Sequence, residues 1–324
     1  VETLLAQMTV DEKLAQIAGV WVTSVIDLGT RQLDTEKARA KIPHGIGHLT
    51  RVGAASLLDP GRSAQLANSI QHYLVTETRL GIPAVLHEEA CAGYMARGAT
   101  SFPQAIAQAA MWQPELVEAM GRIINQQMRA VGARHALAPV LDVVRDPRWG
   151  RVEETYGEDP FLVSTVGTAY VRGIQGSDWR SRVVATAKHF LGYGWSEGGM
   201  NWAPAHIPER ELREIFLTPF TAAIKTAGIA SVMPAYHEMD GIPSHANVAY
   251  LVDLLRDELG FEGTAVSDYF GINMLKDYHK TAGDKADAAK QALAAGVDVE
   301  LPAADCYGSP LREALDDGRI DIEL

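Results

Sequence analysis

Apolar and β-branched residues gather into short runs that recur along the chain. These are "IPAVLH" over 82–87, "HALAPVLDV" over 135–143, "RVVATAKHF" over 182–190, "IASVMPAY" over 229–236, "GTAVSDY" over 263–269 and "GVDVEL" over 296–301. Their length and lack of polar alternation predict strands buried on both faces. Between them, apolar positions return at helical spacing over 62–79, 114–132, 160–175, 209–227, 247–259 and 284–295. Asp159 followed by Pro160 reads as a helix start, the aspartate capping and the proline filling the first turn. Strand then helix, repeated, predicts a parallel sheet with crossover helices. "HGIGHLTRV" over 44–52 adds a strand and "NWAPAHIP" over 201–208 a short or irregular one. The count then reaches that of an α/β (β/α)8 TIM-type barrel, with one or two irregular strands. The barrel is expected over 1–310, with 311–324 starting a helix or linker toward a following domain outside this chain.

An open doubly wound sheet is the competing arrangement. It ordinarily carries a phosphate-cradling loop, and neither GxGxxG after the first strand nor GxxxxGK[ST] occurs here. Polar residues instead cluster where the runs end: His87, Glu88 and Glu89; Asp142 and Arg145; Lys188 and His189; Tyr236 and His237; Asp268 and Tyr269. In a barrel all these ends converge on one face, where active sites are built.

Composition narrows the partners. The formal charge of −12 disfavours nucleic acid and anionic membranes, and no apolar run is long enough to span a bilayer. The first residues lack the basic-then-apolar pattern of a signal peptide, so a cytoplasmic location is expected rather than secretion, although the start at Val1 indicates a trimmed N-terminus. Cys91 and Cys306 lie far apart and show no metal or disulfide spacing. His87, Glu88 and Glu89 lack further histidines at ligand spacing, so neither a metal nor a cofactor is expected.

A carboxylate at a strand end, ringed by cations from neighbouring strands, has its pKa lowered and serves as a nucleophile. On this reasoning Lys188, His189 and Arg145 keep Asp268 ionised, and with Glu89 they form a polar cup suited to hydroxyl groups.

The segments "LLAQMTVDEKLAQIAG" (4–19), "IPAVLHEEACAG" (82–93), "LDVVRDPRWGRVEETYGEDP" (141–160), "ATAKHFLGYG" (185–194), "VMPAYHEMDGIPSHAN" (232–247) and "RDELGFEGTAVSDYFGI" (256–272) together resemble the N-terminal barrel of glycoside hydrolase family 3. The resemblance implies a retaining, exo-acting β-glycosidase, with a β-glucosidase expected ahead of a β-xylosidase. Asp268 would be the nucleophile, Glu89, Arg145, Lys188 and His189 would bind the terminal sugar, and Tyr236 would lie beside the nucleophile. It also implies a β-linked oligosaccharide or glycoside as substrate, and an acid/base supplied by a following α/β sandwich domain. A subgroup that keeps an Asp/His pair on a barrel loop reads KHFPGHG; Tyr193 replaces that second histidine here. Met200 stands where relatives often carry an arginine, Ala92 where they often carry a histidine, and Tyr269 where tryptophan is commoner. Glu153, Glu154 and Glu158 are expected to brace their loop or begin the next helix. Two alternatives remain: a carbohydrate-binding barrel lacking its acid, and a Schiff-base lyase using Lys188.

Overall fold

The computed structural model describes residues 1–321, so 322–324 of the expected 311–324 linker lie outside the described residues. Seven parallel strands form one sheet in chain order: β1 (Gly19–Trp21), β2 (His48–Thr50), β3 (Val85–Glu88), β4 (His135–Ala136), β5 (Val184–Phe190), β6 (Ser231–Pro234) and, after a small hairpin, β9 (Thr264–Ala265). The segment at 299–300 joins both edges, Val299 bridging Val266 and Glu300 bridging Ala18, so the sheet curls into a barrel. The hairpin pairs β7 (Glu238–Met239) with β8 (Ile242–Pro243).

The strand tally needs one exchange. Residues 201–208 contribute a single bridge, Ala205 to Met239, because Pro204 and Pro208 remove ladder donors. The barrel strand that pattern reading passes over is Gly19–Trp21, only three residues long and directly behind the helix Val10–Gln16. The expected strand 135–143 is also cut short. Pro139 has no N–H to give, and pairing resumes only at Val140, which bridges Lys188.

The predicted helices appear as Pro60–Glu77, Pro114–Ala130, Pro160–Gln175, Thr218–Ala227, Ala249–Glu258 and Lys285–Ala294. Asp159 caps the third as its sequence suggested, accepting from the N–H groups of Phe161 and Leu162. The helix Ser309–Asp316 lies against the wall: Leu311 and Ala314 are buried, and Arg312 pairs with Asp11 at 2.9 Å.

Leu137, Met233, Val266, Val299 and Leu301 pack together as a buried cluster contributed by the strand segments. Beside them sit buried polar groups, among them His135, whose Nε2 is 2.7 Å from the Thr186 hydroxyl. The larger apolar cluster lies between strands and helices and makes the barrel rigid enough to hold strand-end side chains in fixed positions.

Candidate active site

The Lys188–His189 pair ends β5, and the chain then turns back across the barrel mouth. Gly194 permits this course, since a Cβ there would meet the Val143 carbonyl oxygen at 2.4 Å. The Arg145 N–H donates to the Gly194 carbonyl at 3.0 Å, fastening the two loops together.

Lys188 and His189 are both buried and each has a carboxylate partner. Lys188 Nζ donates to Glu89 Oε2 at 3.0 Å. Burial opposes the ammonium charge, but Glu89, Cys91 and Asp268 together carry its pKa above the usual lysine value. His189 directs both its backbone N–H (3.0 Å) and its ring Nδ1 (2.8 Å) at Asp142 Oδ2. That contact places the ring proton on Nδ1 and leaves Nε2 facing Asp268 Oδ2 at 3.6 Å. A neutral His189 therefore presents an acceptor to the mouth, where the sequence reading counted it among the cations around Asp268. Asp142 is buried, which pushes its carboxyl up to about 7.

Asp268 follows β9 and is 8% exposed. Its Oδ1 accepts the Tyr269 N–H at 2.7 Å, and its own N–H donates to His245 Nε2 at 3.0 Å. Tyr236 lies beside it, with its hydroxyl engaged by the Tyr269 carbonyl at 2.9 Å. Burial pushes the Asp268 carboxyl above its ordinary value, against the lowering effects of Lys188 and Arg151. The expectation of a lowered pKa is thereby corrected. Desolvation in the closed cup outweighs the cations around it.

The arginine that acts on this carboxylate is Arg151, not Arg145. No side-chain hydrogen bond forms at the Arg145 Nε, and its backbone is taken up by Gly194. The RDPRWGR loop folds back through an Asp146–Arg148 pair (2.6 Å) and a buried Trp149, which carries its last arginine inward. Arg151 grips Glu154 with two bonds of 2.8 Å and lies 5.9 Å from the centre of the Tyr193 ring. Sequence reasoning named Arg145 and not Arg151, because spacing alone does not show which arginine the loop turns in. Asp142, His245 and Tyr193 were also given no role. Tyr193 stands 5.2 Å from the His189 ring and bonds Asn201, which accepts from Trp149 as well.

His87 and Glu88 point elsewhere. His87 Nε2 meets the Tyr269 hydroxyl at 2.9 Å, and Glu88 accepts the Gly53 N–H at 2.7 Å. Among the described residues no three His, Cys, Asp or Glu side chains are arranged to hold a metal ion.

Fold and site together define a parallel-barrel protein whose mouth gathers the buried carboxylates Asp142 and Asp268 with His189, Lys188 and Arg151. Residues 9–323 match the family described as glycosyl hydrolase family 3 N-terminal domain, and the chain belongs to that family. It is 44% identical over 233 residues to a β-xylosidase of Formosa agariphila, covering 69% of this chain and 32% of that one. It is 32% identical to a periplasmic β-glucosidase of Salmonella typhimurium, covering 99% of this chain and 40% of that protein. Among solved structures, a β-glucosidase from Erythrobacter marinus superposes with a TM-score of 0.91 at 36% identity, covering 99% of this chain and 42% of the other. The chain thus spans well under half the length of these relatives.

Proposed function

We propose that this barrel carries the nucleophile and the sugar-binding groups of a retaining, exo-acting β-glycosidase acting on β-linked oligosaccharides or glycosides. The observation that carries this reading is Asp268, buried at the mouth, its Oδ2 facing His189 Nε2 at 3.6 Å while Oδ1 is held by a backbone N–H. Oδ2 attacks the anomeric carbon, the C1–O bond to the leaving group breaks, and a glycosyl-aspartate forms that water later hydrolyses. Lys188, Glu89, Arg151 and His189 bind the hydroxyls of the terminal sugar; contacts that tighten as positive charge develops at C1 raise the rate.

The leaving oxygen needs a proton. The acid is supplied by a following α/β sandwich domain, because the nearby Glu154 is locked to Arg151 and its carboxyl is held below its ordinary value. β-Glucosides are the first substrates to test and β-xylosides the second, since the relatives named above bear both activities.

The Schiff-base reading requires a neutral lysine amine. The Glu89 pairing, with Lys188 raised above its usual pKa, runs against it. The deciding experiment incubates the full-length protein with 2-deoxy-2-fluoro β-glucoside and β-xyloside and maps the adduct by peptide mass spectrometry. Attachment to the peptide containing Asp268 supports the reading; attachment to Glu89 or Glu154 overturns it.

A further inference from the structure

β6 and β9 are joined by a regular ladder that stops short of the barrel mouth. Thr264 N–H donates to the Ala230 carbonyl at 3.0 Å and Val266 N–H to the Val232 carbonyl at 2.9 Å. The next donor in this alternation is the N–H of Asp268. Instead of a strand carbonyl it meets the ring of His245, whose Nε2 accepts at 3.0 Å. The backbone carbonyl of Ala235, the residue before Tyr236, also acts on this ring, favouring its protonated form. One imidazole therefore stands where the last rung of the ladder would be, beside the strand ends that carry Asp268 and Tyr236.

The surroundings are shaped for this ring. His245 is 2% exposed, and the hairpin β7–β8 delivers it, with Ser244 bonding the His237 carbonyl through both N–H (3.0 Å) and hydroxyl (2.8 Å). Gly271 leaves the space: a Cβ there would lie 2.3 Å from two atoms of the ring. Its backbone has no positive φ, so the ring is what alanine would disturb. Burial keeps the imidazole neutral by lowering its pKa to about 3, which preserves Nε2 as an acceptor.

We infer that His245 is a positioning residue that sets the Asp268 carboxylate relative to Tyr236 by standing in for a backbone hydrogen bond between their strands. The inference rests on Asp268 being the nucleophile. A displacement of about 1 Å in a reacting group costs on the order of a hundredfold in rate, and the His245 bond is what keeps this strand end from drifting.

The test uses the full-length protein and two substitutions that separate the ring nitrogens. His245→Gln sets an amide oxygen where Nε2 accepts, whereas His245→Asn reaches only as far as Nδ1 and leaves the Asp268 N–H without its acceptor. With an aryl β-glycoside, H245Q is expected to keep kcat within about threefold of wild type and H245N to lose on the order of a hundredfold, with KM and the melting temperature nearly unchanged. Equal activity of the two, or a loss confined to KM, overturns the inference. If neither variant folds, Gly271→Ala decides, since it displaces the ring without removing it: reduced kcat supports the assignment and wild-type kcat overturns it. A wild-type protein inert toward every aryl β-glycoside would count against the glycosidase reading instead.

Discussion

His189 Nε2 stands 3.6 Å from Asp268 Oδ2, while the opposite ring nitrogen is held 2.8 Å from Asp142. Because the Asp142 contact fixes the proton on Nδ1, two acceptors face each other across that gap. The positive charges of Lys188 and Arg151 make the arrangement tolerable, and on the proposed function a sugar hydroxyl would complete it by donating to the ring. On the proposed function, Asp142 orients the His189 ring without touching the sugar. Asp142→Ala removes both bonds to His189 and is expected to lower kcat/KM on the order of a hundredfold. Asp142→Asn keeps an acceptor oxygen in the same place and is expected to stay within about tenfold of wild type. Steady-state kinetics on one aryl glycoside distinguish the two; equal losses would show that the negative charge, not the orientation, is what matters.

The pH profile reports on the nucleophile. On the proposed function Asp268 attacks in its ionised form, so activity is expected to fall as pH drops through its pKa. Burial holds that pKa above the ordinary 3.8, and Lys188 is the strongest influence in the other direction. Lys188→Met therefore shifts the acid limb of kcat/KM to higher pH, in addition to lowering the plateau through the lost hydroxyl contact. Inactivation rates with a 2-fluoro glycoside, followed across pH, read this limb directly. An unmoved limb would mean that another group governs it.

Long elements were legible in the sequence and short ones were not. Helices such as Pro160–Gln175 declare themselves by period and by the Asp159 cap, whereas Gly19–Trp21 is too short to show any period. The barrel count reached eight by including 201–208, whose prolines argued against it. In the site, residues on strand ends were placed well because a parallel barrel brings those ends together: Glu89, Lys188, His189, Tyr236 and Asp268 share the mouth. Arg151 was not named because its motif is a loop, where composition does not fix direction. The hairpin that carries His245 had a readable signal. Asp240–Gly241 forms a two-residue turn with both φ values positive, 52° and 78°, the turn that Asp-Gly favours. The sign of the Asp268 pKa shift was misjudged because neighbouring charges can be guessed from sequence while depth of burial cannot.

Stability at acid pH should depend on Glu12. Thr9 and Glu12 form a reciprocal cap at the start of the helix leading into β1, and Arg79 Nε donates to Glu12 Oε1 at 2.8 Å. The Arg79 bond, with that from the Thr9 N–H, holds the Glu12 carboxyl at about 2, against 4.5 ordinarily. Since the folded value is the lower one, the stabilisation is present above about 4.5 and is lost as pH falls toward 2. Glu12→Gln is expected to cost roughly 1 kcal/mol at pH 7, the scale of a lost cap, and much less at pH 2. Urea unfolding of wild type and variant at both pH values checks this; a constant difference would place the effect in packing rather than charge.

Glu154 offers the sharpest check on where the proton comes from. It sits in the loop after RWGR, close enough to Arg151 for two bonds of 2.8 Å, and is the first barrel carboxyl to suspect as a general acid. An acid must hold its proton at working pH, however, and burial of Glu154 is overcome by the Arg151 guanidinium, which keeps the carboxyl below its usual range. Its work is to hold Arg151 in place. Glu154→Gln should then lower kcat/KM by a similar factor, about tenfold, for glycosides with good and poor leaving groups alike. Loss of a general acid behaves differently: poor leaving groups suffer on the order of a hundred- to ten-thousand-fold while activated aryl glycosides are largely spared. A leaving-group series on the full-length variant, plotted as log kcat/KM against the pKa of the departing phenol, separates the two by slope. A slope that steepens relative to wild type would identify Glu154 as the proton donor and remove the need for one from a following domain.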